Sequence, residues 1–172
     1  AITALDLNDP IFEIGVTPNR GDCLSVRGIA RDLSAKGVGT LKPLNIKKVT
    51  NEEFESPITW SIQNDGNSCS FVVSRYFKDL QNSTSPNWLQ KKLLSIGLRP
   101  INALVDITNF ITMDLGRPLH VFDADKIGNK LNMRLSNDQE KLLALDNKEY
   151  LLNDATTVIA DNKNPLAIAG II

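Results

Sequence analysis

The chain has a single histidine, His120, and histidine is the one side chain whose ordinary pKa lies near neutrality. It sits in Gly116-Arg117-Pro118-Leu119-His120-Val121-Phe122-Asp123, just past a helical pattern. Upstream, Gly97-Leu98-Arg99-Pro100-Ile101-Asn102 and Asp106-Ile107-Thr108-Asn109-Phe110 add Arg99, Thr108 and Asn109 around the same helix and its flanking loops. Groups of this kind could converge on a cleft and orient a polar ligand or a water molecule. They include no activated nucleophile: Ser25 has no triad arrangement, and neither a G-x-S-x-G elbow nor a Gly-rich phosphate loop is present. One histidine and no clustered cysteines leave too few ligands for a metal centre, so no metal site is expected. An architectural reading stands beside the functional one. In it Asp106 caps the helix, Thr108 and Asn109 fill its first turn and Arg99 pairs locally. On residue types alone both readings stay open.

A second dense stretch, Thr17-Pro18-Asn19-Arg20-Gly21-Asp22-Cys23, packs turn formers and opposite charges ahead of another helix. Its expected role is structural: Asn19 and Asp22 serve turn and helix-start amides, and Arg20 answers a carboxylate. Cys23 and Cys69 lie far apart in no paired spacing and are expected to be free, buried or half-buried thiols.

The elements that would position these groups follow from periodicity. Phe12, Ile14 and Val16 alternate with polar neighbours, which predicts a strand over 11–16. A helix follows to about Lys36, capped by Asp22 or Ser25 and closed by Gly37. Residues 38–56 show little periodicity and read as a connector. Ile58, Trp60 and Ile62 alternate, and Phe71 to Leu80 is rich in β-branched and aromatic residues, so both read as strands around an Asn64-Asp65-Gly66-Asn67 turn. Ser85-Pro86 predicts a cap and first helical residue for a helix ending at Gly97. Another helix is expected from about Asp106 to Leu115, ended by Gly116 and Pro118. Strands are then expected at Leu131–Leu135, Leu142–Leu145, Glu149–Leu152, Thr157–Ala160 and Leu166–Ile172, with a tight turn at Asp146-Asn147-Lys148. Strands with segregated helices imply α+β architecture.

The 172 residues are 42% hydrophobic and 23% charged, an ordinary globular composition. Nineteen basic residues against twenty acidic ones exclude a broad basic footprint, so RNA contact would be local or supplied by other parts of a longer protein. No apolar run approaches the roughly 18 residues of a membrane-spanning helix. The chain reads as soluble and cytoplasmic. The absence of an initiator Met and the uncapped apolar run Leu166-Ala167-Ile168-Ala169-Gly170-Ile171-Ile172 suggest a piece of a longer protein.

Two long motifs carry a resemblance. Residues 12–31, from Phe12-Glu13-Ile14-Gly15 to Ile29-Ala30-Arg31, resemble the closing part of the first module of bacterial phenylalanyl-tRNA synthetase β subunits, and Gly21 gives the motif a bacterial look. Residues 97–123, with Arg99-Pro100-Ile101-Asn102, Val105-Asp106-Ile107-Thr108-Asn109 and Pro118-Leu119-His120-Val121-Phe122-Asp123, resemble the B3/B4 editing domain of that subunit. The resemblance implies a strand-turn-helix appendage over 1–43, a connector over 44–56, and over 57–172 a layered α+β editing domain with mixed or antiparallel sheets, incomplete at its C-terminus. It implies a part in charging tRNA(Phe) and in tRNA-dependent hydrolysis of Tyr-tRNA(Phe), a second site that compensates for a synthetic pocket unable to reject one added hydroxyl. It further implies a parent enzyme that uses ATP and Mg2+, an α subunit partner in an α2β2 assembly, and no cofactor in this stretch. Arg99, Thr108, Asn109 and His120 fall on positions associated with the editing pocket. Thr108 and Asn109 would hold the aminoacyl group or a water, His120 would orient the terminal adenosine or ester, and Arg99 would position the loop or touch RNA. A glycine pair and a glutamate that accepts the tyrosine hydroxyl would lie beyond Ile172, so the isolated chain is expected to be inactive. A structural or tRNA-docking module and a free-standing editing hydrolase are the alternatives.

Overall fold

The computed structural model describes residues 10–47, 54–63 and 69–169. It contains helices α1 (Val26–Ala35), α2 (Asn87–Ser95) and α3 (Ala103–Leu115), a 3-10 turn at Gly21–Cys23, and strands β1 (Thr59–Ile62), β2 (Lys130–Leu135), β3 (Lys141–Leu143), β4 (Glu149–Leu151), β5 (Thr157–Ala160) and β6 (Pro165–Ile168). The architecture is α+β. The chain divides into two compact units, one of Ala1–Lys48 with Gln81–Val121 and the other of Val49–Leu80 with Phe122–Ile172.

The first unit holds all three helices, and its local geometry follows from close approaches that side chains would block. Ser25 Oγ caps α1 by accepting the Gly28 N–H at 2.9 Å. The helix start then lies so near the preceding turn that a Cβ on Gly28 would come within 2.2 Å of the Asp22 carbonyl oxygen and 3.0 Å of Cys23 Cα. Asp22, offered above as a cap, is instead taken by arginines. Its carboxylate accepts Arg20 Nε at 3.0 Å and Arg31 Nη2 at 2.5 Å, while Arg20 Nη2 reaches Asp32 at 2.6 Å. The hydrogen bond from Arg20, with both guanidinium charges, lowers the Asp22 pKa to about 2. Asn19 is exposed beside this network. Cys23 is buried at its edge and, like the half-buried Cys69, is a free thiol.

The strand expected over 11–16 does not form; the segment has no regular structure, and Phe12 is 79% exposed. Alternation supplies a face, but a strand also needs a backbone partner.

In the second unit the four-stranded sheet has the order β1-β2-β5-β6, with β1 and β2 parallel and the other pairs antiparallel. Because successive side chains alternate between faces, Val158 and Ala160 of β5 pack with Leu142 and Leu152. Ile159 packs with Leu131 and Met133 on another cluster that also takes Ile58, Trp60, Ile62 and Phe122. The β3–β4 hairpin closes through Asn147 at φ 62°, with Asp146 Oδ1 accepting the Lys148 N–H at 3.0 Å. Arg134 and Glu140 make a bidentate pair at 2.8 and 2.7 Å, and Glu140 also accepts the Asn137 N–H at 2.9 Å.

Phe71 to Leu80, expected as a strand, is also irregular; Phe71 and Val73 are 78% and 79% exposed, and only Val72 of that trio reaches the core cluster. The Asn64-Asp65-Gly66-Asn67 turn lies outside the described residues, as do 170–172 at the end of the last expected strand.

Two outcomes follow for stability. Gly28→Ala should destabilise the fold by about 1–3 kcal/mol in urea unfolding, although alanine is intrinsically the better helix residue, because the obstacle is backbone. Glu140 is held below its ordinary pKa chiefly by the Arg134 hydrogen bonds. Its contribution is therefore complete above the unfolded carboxyl pKa of roughly 4.3 and is lost as pH falls through the lower folded value. Urea midpoints against pH should show Glu140→Gln less stable by about 1–2 kcal/mol at pH 7 and converging on the parent in acid.

Candidate functional site

The residues singled out around the second motif all belong to the first unit, on α3 and the loops at its ends. The helix begins earlier than its apolar spacing suggests. Asn102 is the N-cap, its side chain accepting the Val105 N–H at 3.1 Å, while its carbonyl accepts the Asp106 N–H at 2.9 Å. The Ala103 N–H donates to the Ser83 carbonyl at 2.8 Å and the Leu104 N–H to Asn82 Oδ1 at 3.3 Å. The amides that a helix leaves unpaired at its start are thus taken by the chain itself. This end of α3 is not an open anion cradle.

With Asn102 as cap, Asp106 falls one turn inside the helix and does not cap it. Its side chain is fully buried. It accepts the Ile101 N–H at 2.8 Å on one oxygen and the Ser85 hydroxyl on the other. Ser85 therefore does not cap α2, whose N-cap is Pro86 without a side-chain bond; the Ser85 carbonyl accepts Gln90 Nε2 at 2.5 Å instead. Leu89 and Leu93 of α2 are buried, and Trp88 meets Phe110 of α3 edge to face at 5.6 Å. Asp106 and Phe110, four residues apart, share a helix face.

Thr108 and Asn109 are half-buried in the middle of α3. The Thr108 hydroxyl donates to the Val105 carbonyl at 2.7 Å, and Thr112 repeats the pattern to the Thr108 carbonyl at 2.9 Å. Val105, Thr108, Asn109 and Thr112 fall within one stripe at 100° per residue. Arg99 is exposed in the α2–α3 loop, and His120 is exposed after the C-terminal end. That end is set by Gly116 at φ 69°, whose N–H donates to the Thr112 carbonyl. A Cβ there would meet Ser25 Oγ at 3.2 Å. Thirteen helical residues span about 20 Å, so the loops that carry Arg99 and His120 lie at opposite ends of α3, with Thr108 and Asn109 on the helix between them.

Two apolar grooves in this unit, one of about 430 Å³ lined by Val26, Ala30, Leu33 and Leu41 and another by Phe12, Ile14 and Ile29, include none of these residues. Among the described residues no group of histidine, cysteine and carboxylate side chains could hold a metal. The available chemistry is placement of a ligand or a water by hydrogen bonds along a helix stripe. Within α3, the residue whose position the sequence misjudged is Asp106. Its signal was Asn102, a good cap four residues earlier, with a carboxylate between Val105 and Ile107.

Comparison with known proteins adds the family. Residues 68–172 match the B3/4 domain. The chain is 51% identical over 170 residues to the phenylalanine-tRNA ligase beta subunit of Brucella melitensis, covering 98% of this chain and 21% of that protein. It is 51% identical over 167 residues to the beta subunit of Paramagnetospirillum magneticum (95% and 21%) and 45% identical over 168 residues to that of Gluconobacter oxydans (97% and 20%). The chain therefore spans about a fifth of the length of these relatives. With over half of its residues inside the domain match, the chain belongs to the B3/4 domain family found in phenylalanine-tRNA ligase beta subunits.

Proposed function

We propose that this chain is part of a phenylalanine-tRNA ligase β subunit and contributes one wall of a site that hydrolyses Tyr-tRNA(Phe). The observation that carries the proposal is the stripe of α3 bearing Thr108 and Asn109, flanked by Arg99 and His120 in the two loops, within the stretch that matches the family. In this reading 57–172 is the editing domain, 1–43 the end of the preceding module and 44–56 the connector. The parent enzyme works in the cytoplasm with an α subunit, ATP and Mg2+ to charge tRNA(Phe).

The aminoacyl ester is already activated by its attachment to the tRNA ribose, so hydrolysis needs a water held near its carbonyl more than it needs a nucleophilic side chain. Asn109 offers an amide that can donate to the ester and accept from the water. The Thr108 hydroxyl already donates to Val105 and has lone pairs left to accept a hydrogen bond from the substrate ammonium or the water. His120 would orient the terminal adenosine or the ester, and Arg99 would position its loop or meet the RNA backbone. A structural or tRNA-docking module is the second reading, favoured by the engagement of the Thr108 hydroxyl with its own helix.

His120→Ala in the full αβ assembly should slow Tyr-tRNA(Phe) deacylation at least tenfold, an effect on the order of one lost positioning contact, and leave phenylalanine activation intact. Equal loss of both activities would reject the assignment. The isolated chain should show no measurable deacylation of Tyr-tRNA(Phe), and robust hydrolysis would overturn the view that the pocket is completed by residues beyond it.

A further inference from the structure

The structure points to a positioning residue that the proposed chemistry does not use directly: we propose that the buried carboxylate of Asp106 holds the α2–α3 loop and the start of α3 in register, and so sets where Arg99 and Asn109 stand. This deepens the editing reading and rests on it. Asp106 is fully buried, and among the described residues no cationic side chain pairs with it. A carboxylate withdrawn from water is costly unless its oxygens accept hydrogen bonds. Here each has one: Ile101 N–H at 2.8 Å and the Ser85 hydroxyl.

These bonds join three pieces of chain. Ser85 belongs to the 82–85 segment, whose Ser83 carbonyl and Asn82 side chain also receive the first amides of α3. Ile101 is two residues after Arg99, in the same loop. Asp106 itself is three residues before Asn109 on a rigid helix. Removing the carboxylate takes the partner from the Ile101 N–H and leaves the hydroxyl of the buried Ser85 unpaired, and the loop would shift to recover partners. The effect would reach a ligand through misplacement of Arg99 and of the Asn109 stripe, with no contact between Asp106 and the ligand.

The test uses the full αβ assembly and Tyr-tRNA(Phe), with deacylation measured per folded enzyme below the unfolding temperature. Asp106→Ala should lower kcat about 10- to 100-fold, the scale of an ångström of misplacement, with KM for the mischarged tRNA changed less than about threefold. Asp106→Asn keeps an oxygen for Ile101 N–H and an amide that can donate to the Ser85 oxygen, so it should recover kcat to within about threefold of the parent. Ser85→Ala, which removes one partner only, should fall between the two. If Asp106→Ala does not assemble, the order parent, Asp106→Asn, Ser85→Ala decides the question alone. Parental kcat in Ser85→Ala, or Asp106→Asn as slow as or slower than Ser85→Ala, would overturn the positioning role. Asn109→Ala separates the two claims: deacylation lost there but intact in Asp106→Ala and Ser85→Ala removes only the role of Asp106, whereas parental deacylation in both Asn109→Ala and His120→Ala removes the editing reading itself.

Discussion

A carboxylate buried away from solvent is the constraint around which the helical unit is arranged. Asp106 is closed off from solvent, and among the described residues the Ile101 amide and the Ser85 hydroxyl satisfy it. Both partners lie outside α3, so the helix cannot be placed without placing the loop before it and the segment before α2. The same segment supplies Ser83 and Asn82 to the opening amides of the helix. Burial of Leu89 and Leu93 adds the non-directional part of the stability, and the polar contacts fix the register. In the other unit register comes from a different source. Sheet alternation sends Val158 and Ala160 to one cluster and Ile159 to another, so a slip by one residue would exchange them.

Much of this was legible in the sequence where a local rule and a burial pattern coincided. The Ser25 cap, the left-handed Gly37, Gly97 and Gly116, and the hairpin around Asn147 each follow from a residue type suited to one backbone geometry. The strands at 59–62 and 130–135 alternate visibly and, like the apolar run at 157–160, find partners. Residues 11–16 and 71–80 alternate or carry strand-forming residues as well, yet form no ladder. Periodicity describes one segment, whereas a ladder is a property of two.

The candidate site was legible to a different degree. Types and spacing drew attention to Arg99, Thr108, Asn109 and His120, and the resemblance attached roles to them. Where α3 begins was misread, because Asp106 is a common cap residue and the apolar spacing starts beside it. Ser85 was misread for the same reason: serine before proline suggests a cap, while its hydroxyl is drawn away by a carboxylate 21 residues on. A long-range hydrogen bond between two good cap residues has no periodic signature.

The central claim is that the stripe of α3 carrying Asn109, with His120 beyond its end, faces the aminoacyl end of a mischarged tRNA. The most direct measurement is a crystal structure of the complete αβ enzyme soaked with an adenosine bearing tyrosine through a 3′ amide, which mimics the ester but resists hydrolysis. The account predicts the amide carbonyl within hydrogen-bonding reach of Asn109 or Thr108 and the adenosine beside His120. The compound bound in the β subunit with all of these residues in bulk solvent would contradict it.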